Sequence, residues 1–374
     1  MSTSKHICLL GPHPGNGSFS TWSYFRQCAA LLPPYCPADW RIQNAFPGQN
    51  CTPMPHQAWN SRRSTSWREN FVRWPRVLTR QQADCFHITD QGLAWYARFL
   101  PDKPLLVTVH DVISYMTILE VLPLAKPPLK QRLLVHESVR RIRAAAHMIA
   151  VSRHTADCLM RYVGVPEQRI TVIPYYADPS FRHLPDNHCR EKWFDNAEYV
   201  VIHVGKAVGY KNRIGALRAF HRVLKKLPSA RMFLTASLPT AEEQQFLASE
   251  RLDGFVRFVP NLTREDLIEF YNGADVLLFP SFYEGFGIPP LEAMACGCAV
   301  VSTTRASLPE VIGDAGLCVD DPQDVELLSA HVIDILTTPA LRSDLQRKGF
   351  RQAARYTPEK CMRALADLYS RVLS

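Results

Sequence analysis

A chain of 374 residues is longer than one hydrophobic core usually fills, so two domains are expected. With 47% hydrophobic and 21% charged residues it can bury well-formed cores, which excludes a disordered chain. The net charge of +8 is confined to one half: residues 1–180 carry 20 Lys and Arg against 11 Asp and Glu, and residues 181–374 carry 23 against 24.

Eleven cysteines with no paired spacing, and a C-x-C in "ACGC" at 295–298 without a partner cluster, point to reduced, buried thiols rather than a disulfide framework or a zinc site. The apolar run Ile7–Leu10 is too short for a signal-peptide core and no segment reaches membrane-spanning length, so a cytoplasmic protein is expected.

Short Val/Ile/Leu-rich runs recur along the chain at His6–Leu10, Cys85–Ile88, Leu105–Val109, Met148–Val151, Tyr199–Val204, Met232–Thr235, Phe255–Val259, Val276–Phe279 and Ala299–Ser302. Each is followed by a loop and a helical pattern, as in βαβ units of parallel sheets. Ser307 with Glu310 and Thr263 with Asp266 fit capping boxes, and Ser152 and Asn212 fit N-caps. From about Ile173 to Trp193 the periodicity lapses into a proline-containing stretch, which is read as the domain linker. The expected architecture is α/β: residues 1–180 and 190–355 as two doubly wound, Rossmann-like parallel-sheet domains facing a central cleft, with residues 356–374 as a closing helix.

Ligands of such sheets lie beyond the C-terminal strand ends, which directs attention to four loops. "GPHPGNGSF" places Gly15 and Gly17 before a helix, where backbone amides can approach an anion, but the G-x-G-x-x-G spacing of a dinucleotide site is absent. His110 follows the strand "LLVTV". In "GKAVGYKN", Gly205 is followed by Lys206 and Lys211 ahead of a helix start at Asn212; two ammonium groups there suit a diphosphate, and the same residues also fit a solvated loop.

The fourth loop opens "FYEGFGIPPLEAMACGCAVVS" at Phe282. Gly285 and Gly287 permit a sharp turn, Pro289 and Pro290 suit a first helical turn, and Gly297 closes the helix before the next strand. Glu284 is expected in the loop and Glu292 in the first helical turn, both facing one cavity. Ionised carboxylates accept paired hydroxyls, and sugars offer adjacent ones.

"EGFGIPPLE" resembles the E-x7-E motif of the family-four retaining glycosyltransferases, which have the two-domain GT-B fold. The likeness extends to "HVGKAVGYKN", "RFVPNLTREDLIEFYNGADVLLFPSFYEGFG", "AMACGCAVVST", "AVSRHTADCL" and "ITVIPYYADPSF". The resemblance implies an N-terminal acceptor domain, a C-terminal nucleotide-sugar domain and a last helix packing back on the first. It implies that Glu284 meets the donor sugar and Glu292 the ribose hydroxyls, and that the amides of Phe286, Gly287 and Ile288 hold sugar oxygens and phosphate. It further implies that Lys206 and Lys211 neutralise the leaving diphosphate, that His110 touches the donor sugar and that Leu262 borders the base. The family usually carries arginine where Lys206 stands, so a bidentate fork is replaced by a point charge.

No D-x-D stretch is present, and metal-independent transfer with retention is expected on the family likeness. GDP-mannose leads UDP-sugars as the donor, with a glycan or lipid-linked acceptor. A GT-B epimerase or phosphorylase, or a non-catalytic sugar-nucleotide sensor, is the alternative. Six arginines between Arg62 and Arg80, and Arg132, His136, Arg140, Arg143 and His147 at helical spacing, suit an anionic membrane and equally a solvated face; no nucleic-acid motif accompanies them.

Overall fold

The computed structural model describes residues 4–13, 19–47, 67–185 and 188–374. The chain divides into two compact units, Met1–Pro174 with Pro358–Ser374, and Tyr175–Thr357.

In the first unit, strands β1 (His6–Leu10), β2 (Arg41–Ala45), β3 (Cys85–Ile88), β4 (Leu105–Val109), β5 (His147–Ala150) and β6 (Ile170–Val172) form one sheet in the order β2-β1-β3-β4-β5-β6. Every pairing is parallel. The inner strands are buried runs because helices cover both faces. The edge strands β2, "RIQNA", and β6, "ITV", are only partly buried, and neither was expected from the sequence. An edge strand has one neighbour and needs no continuous apolar run.

Helices α1 (Phe19–Leu31) and α2 (Leu129–Ala144) belong to this unit, as does the C-terminal helix Pro358–Leu373, which buries Cys361, Met362, Leu365, Leu368 and Tyr369. A buried polar chain fastens that helix. His87 Nδ1 lies 2.6 Å from Tyr369 Oη, His87 Nε2 lies 2.8 Å from Thr108 Oγ1, and Tyr24 Oη lies 3.3 Å from the same Thr108 hydroxyl. Burial pushes the His87 pKa down to about 3, so the imidazole is neutral in this chain.

In the second unit, β7 (Tyr199–Val204), β8 (Ala230–Thr235), β9 (Val256–Val259), β10 (Val276–Leu278), β11 (Ala299–Thr303) and β12 (Gly316–Val319) are ordered β12-β11-β10-β7-β8-β9, again all parallel. The strand order reverses between β7 and β10, and this is the topological switch point at which open parallel sheets bind ligands. Helices α3 (Arg213–Lys226), α4 (Ala241–Ser249), α5 (Arg264–Gly273), α6 (Ile288–Cys296) and α7 (Val325–Thr337) flank the sheet. Leu217, Phe220 and Val223 of α3 meet Leu328, Val332 and Ile335 of α7 in the core over β7, β10 and β11.

The caps at Ser152, Asn212 and Thr263 with Asp266 form as expected. Ser307 makes no capping box with Glu310: its hydroxyl instead donates to Glu284 O at 2.9 Å and Phe286 O at 2.7 Å. The stretch read as a linker is part of the second unit from Tyr175 on. Tyr175 packs edge-on to Phe286 with centroids 5.4 Å apart, Asp178 pairs with Arg264, and Asn272 Oδ1 accepts Leu184 N–H at 2.8 Å.

Candidate active site

At the switch point the loop after β7, Gly205–Lys211, lies beside the loop after β10. One side chain ties them. Asn212, in a left-handed conformation at φ 52°, caps α3 by accepting Gly215 N–H at 3.2 Å and donates Nδ2–H to Pro280 O at 3.0 Å and Pro322 O at 2.7 Å. Only glycine fits at 215, where a Cβ would stand 2.4 Å from Asn212 Oδ1. Phe282 N–H adds a backbone bond to Tyr210 O at 2.8 Å.

These ties bring Lys211 and Glu284 together. Lys211 Nζ donates to Glu284 Oε1 at 2.7 Å and to Oε2 at 2.8 Å, and the ammonium lies 4.9 Å above the Phe279 ring. Both side chains are largely buried, at 14% and 8% exposure, so neither charge is well solvated and each depends on the other. Lys206 is exposed in the same loop, five residues before Lys211.

Helix α6 starts at the far side of Glu284. Gly287, at φ 109°, makes the turn expected of it and is the N-cap, and Gly297, at φ 82°, closes the helix as the sequence anticipates. Pro289 and Pro290 carry no amide hydrogen, so the donors of this N-terminus are concentrated in Phe286, Gly287 and Ile288, ahead of the first intrahelical bond from Leu291 N–H to Gly287 O at 3.4 Å.

Glu292 stands one residue beyond the first turn expected for it. The helix begins at Ile288, so Pro289 and Pro290 lie in its first turn and Glu292 is the fifth helical residue. Tyr271 donates its hydroxyl to Glu292 Oε2 at 3.2 Å. Although the residue keeps some exposed area, its carboxyl lies deep among protein atoms, and burial pushes its pKa up to about 8 against the opposing pull of Tyr271 and Arg264. Glu284 and Glu292 are thus held by different partners, a lysine and a tyrosine. Leu262, half-buried, immediately precedes the Thr263 cap of α5, whose first residue is Arg264.

In the first unit His110 follows β4 and is buried. Its Nε2–H donates to Thr89 O at 2.7 Å, its backbone N–H donates to Gln91 Oε1 at 2.9 Å, and Tyr24 lies edge-on at 5.3 Å. Burial lowers its pKa against the opposing charge of Asp90. Gly15 and Gly17 lie outside the described residues.

Sequence reasoning missed two buried groups around the lysine loop. His203 on β7 donates Nδ1–H to Leu278 O of β10 at 2.9 Å; its Nε2 has no hydrogen-bond partner among the described residues, and it lies 3.4 Å from where a Cβ on Gly205 would stand. Arg213, the first residue of α3, is buried against Glu243 of α4 with Nε 3.0 Å from Oε1. Glu243 itself completes a capping box with Thr240 that was also missed. The T-x-x-E spacing of Thr240 and Glu243 is a local signal that could have found the cap, whereas no sequence pattern links Arg213 to Glu243, 30 positions away.

The basic stripe of the first unit is shorter than its spacing implies. His147 lies on β5 and not on a helix, bonded to Thr171 Oγ1 at 2.8 Å. Glu137 pairs with Arg141 at 2.8 Å and Arg140 at 3.8 Å, and Arg143 donates to Val163 O at 2.6 Å. The same helix exposes Leu129 at 68% and Leu133 at 62%, which the sequence analysis did not single out. Of the Arg62–Arg80 cluster, Arg62 and Arg63 lie outside the described residues. Among the described residues, no three His, Cys, Asp or Glu side chains are grouped to hold a metal, no two cysteines form a disulfide, and no helix is long and apolar enough to cross a membrane.

Two family models match, "Glycosyl transferases group 1" over residues 187–352 and "Glycosyltransferase Family 4" over residues 41–181. The chain is 30% identical over 268 residues to O-antigen chain mannosyltransferase B of Escherichia coli, covering 70% of this chain and 69% of that protein. It is 26% identical over 308 residues to MMP alpha-(1->4)-mannosyltransferase of Mycolicibacterium hassiacum, covering 77% and 72%. Among solved structures it matches sucrose-phosphate synthase from Thermosynechococcus elongatus with a TM-score of 0.76 at 19% identity, over 98% of this chain and 99% of that one. Anabaena HepE in complex with UDP and glucose matches with a TM-score of 0.75 at 14% identity, over 98% and 100%.

Proposed function

We propose, for a chain that belongs to the group 1 glycosyl transferases and is therefore a glycosyltransferase of GT-B fold, that it moves mannose from GDP-mannose to a glycan or lipid-linked acceptor in the synthesis of a cell-surface polysaccharide. Mannose is favoured because two relatives that cover about two thirds or more of their own length are mannosyltransferases by name. The observation that carries the reading is the Lys211–Glu284 pair at the switch point, beside the amides of Phe286, Gly287 and Ile288.

Breaking a bond from a sugar to a nucleoside diphosphate builds positive charge on the anomeric carbon and negative charge on the departing phosphate. Lys211, with Lys206 and the α6 amides, is the group that stabilises the second; Glu284 is the group that orients sugar hydroxyls and stabilises the first. Fixed charges in a largely buried setting act strongly because they need no rearrangement as the bond breaks. In this reading the ammonium groups supply the leaving-group charge and no metal is called for. The acceptor enters on the face from which the diphosphate leaves, retention follows, and the departing phosphate oxygen takes the acceptor's proton. Glu292 accepts the ribose hydroxyls and Leu262 borders the base.

A thermal-shift series with GDP, UDP and ADP tests the donor, since a ligand bound to the folded chain raises stability by mass action. GDP is expected to raise the melting temperature most. A UDP preference would overturn GDP-mannose, and no shift with any of the three would overturn the nucleotide-sugar reading.

The exposed Leu129 and Leu133, one turn apart and accompanied by Lys130, Arg132 and Arg140, favour peripheral docking of the first unit at the inner face of an anionic membrane, where a lipid-linked acceptor would be presented.

A further inference from the structure

Ser237 follows β8, the strand beside β7, and so stands at the same sheet edge as the lysine loop. Its hydroxyl oxygen accepts two hydrogen bonds. One comes from the backbone N–H of Ala207, next to Lys206, at 2.9 Å. The other comes from Nη1 of the buried Arg213. Neither donor can act as an acceptor, so both bonds use lone pairs of the serine oxygen.

Arg213 is in turn fixed. Its Nη2 donates to Glu243 Oε2 at 3.1 Å, and that carboxylate is held by Thr240 N–H at 2.8 Å in the α4 capping box. The guanidinium also lies 5.3 Å from the centre of the Phe258 ring. A charged, buried side chain thus holds a half-exposed hydroxyl whose two acceptor positions are filled.

One capacity of the hydroxyl is left, its own proton, and among the described residues no group accepts it. Donation into an oxygen by a guanidinium polarises its O–H bond and makes it a better donor. A donor of this kind, beside an exposed lysine and an amide at a parallel-sheet edge, is complementary to an anionic oxygen.

We propose that Ser237 is a further binding residue of the donor site, donating its hydroxyl proton to a phosphate oxygen of the nucleoside diphosphate, and that Arg213 is the positioning residue that aims it. The inference rests on the nucleotide-sugar reading above. It adds the end of β8 to the ends of β7 and β10 as a source of phosphate contacts.

Calorimetry with GDP and UDP, and competition with guanosine and uridine, tests the proposal on the whole chain. Ser237→Ala is expected to weaken whichever diphosphate the wild type binds by about tenfold or more, the effect of removing a hydrogen bond to a charged group. It should leave the matching nucleoside's affinity unchanged while lowering the melting temperature, because Arg213 Nη1 and Ala207 N–H lose their acceptor, and Ser237→Thr should restore both stability and diphosphate binding. Ser237→Cys, which keeps the side chain's volume but donates poorly, should behave like Ser237→Ala. Arg213→Lys, which keeps the charge and loses the fork, should show a smaller loss confined to the diphosphate. Wild-type diphosphate affinity in both Ser237→Ala and Ser237→Cys would overturn the role of Ser237 alone. Equal losses for nucleoside and diphosphate would reduce it to a structural residue. A wild type that binds neither GDP nor UDP would overturn the underlying reading together with this inference.

Discussion

Lys211 and Glu284 are each other's principal partner: one ammonium group lies within 2.8 Å of both oxygens of one carboxylate, 73 positions away in the chain. Removing either partner strands the other in a poorly solvated place. Lys211→Ala is therefore expected to cost about 3–5 kcal/mol of stability, and the Lys211→Ala/Glu284→Gln double variant clearly less than the sum of its parts. Chemical denaturation of the four proteins in the cycle measures the coupling. Additive losses would show that the pair is not energetically linked.

The same lysine has a separable role in turnover. At a temperature where the variant remains folded, Lys211→Ala is expected to lower kcat by roughly 10²–10³ with a smaller change in donor KM, because the group acts on charge that develops as the sugar leaves. EDTA should leave wild-type activity intact. Activity lost to EDTA and regained with Mg²⁺ or Mn²⁺ would place the leaving-group charge on a metal instead.

Glu292 supplies a pH signature. Its carboxyl is held protonated up to about pH 8 in the folded chain, whereas an unfolded glutamate loses its proton near 4.5. Its contribution to stability is present below about pH 4.5 and is lost as the pH rises toward 8, since over that window the folded state binds the extra proton. Glu292→Gln should accordingly be more stable than the wild type at pH 8.5 and should lose this advantage at pH 5. If the ionised carboxylate is what accepts ribose hydroxyls, nucleotide affinity should rise between pH 7 and 9 in the wild type and stay flat in Glu292→Gln. A wild-type profile that parallels the variant's would remove Glu292 from the binding step.

The C-terminal helix is fastened by packing and by one buried hydroxyl. Tyr369→Phe leaves His87 Nδ1 without the hydroxyl at 2.6 Å and should cost about 1–3 kcal/mol, the penalty of an unsatisfied buried polar group. Truncation from Thr357 uncovers the apolar surface that Met362, Leu365 and Leu368 bury and should yield aggregated protein. A soluble and active truncation would contradict this packing.

Leu129 and Leu133 separate membrane docking from simple solvation of a basic helix. Both are already exposed, so Leu129→Ser/Leu133→Ser should fold normally. Co-sedimentation with phosphatidylglycerol-containing vesicles should fall by about tenfold or more, in keeping with two buried leucine side chains. Wild-type binding should also weaken with salt. Unchanged binding in the variant, or none in the wild type, would leave this face solvated.

The inner strands were legible in the sequence because burial on both faces demands continuous apolar runs; three of the four edge strands, β2, β6 and β12, were not, because an edge strand needs no such run, whereas the fourth, β9, carries the apolar "FVRFV" and was. Gly297 announced the end of α6 and Pro289–Pro290 its first turn, while Gly287, legible only as a turn residue, proves to be the N-cap at positive φ. Glu284 and Lys211 could be named as separate candidates from their loops, whereas their direct bond depends on the side-by-side placement of β7 and β10. Ser307 illustrates a local rule that lost: its hydroxyl had a helix to cap, and two carbonyls of the Glu284 loop claimed it instead. The Glu243–Arg213–Ser237 chain had no local signal at all, because its members meet only after three elements have packed.

The first unit contains residues from both sides of the second, and this sets the order in which the chain can fold during synthesis. At about 5–20 residues per second, the whole of Tyr175–Thr357 is synthesised over roughly 10–40 s before the helix that Tyr369 anchors is made. Throughout that interval the bed for Met362, Leu365 and Leu368 has no cover, and His87 lacks its tyrosine. The second unit can close on its own residues as soon as they are out. The half that is translated first is therefore the half that finishes last, and a released chain ending near residue 357 should present a folded second unit together with a first unit still open to chaperones.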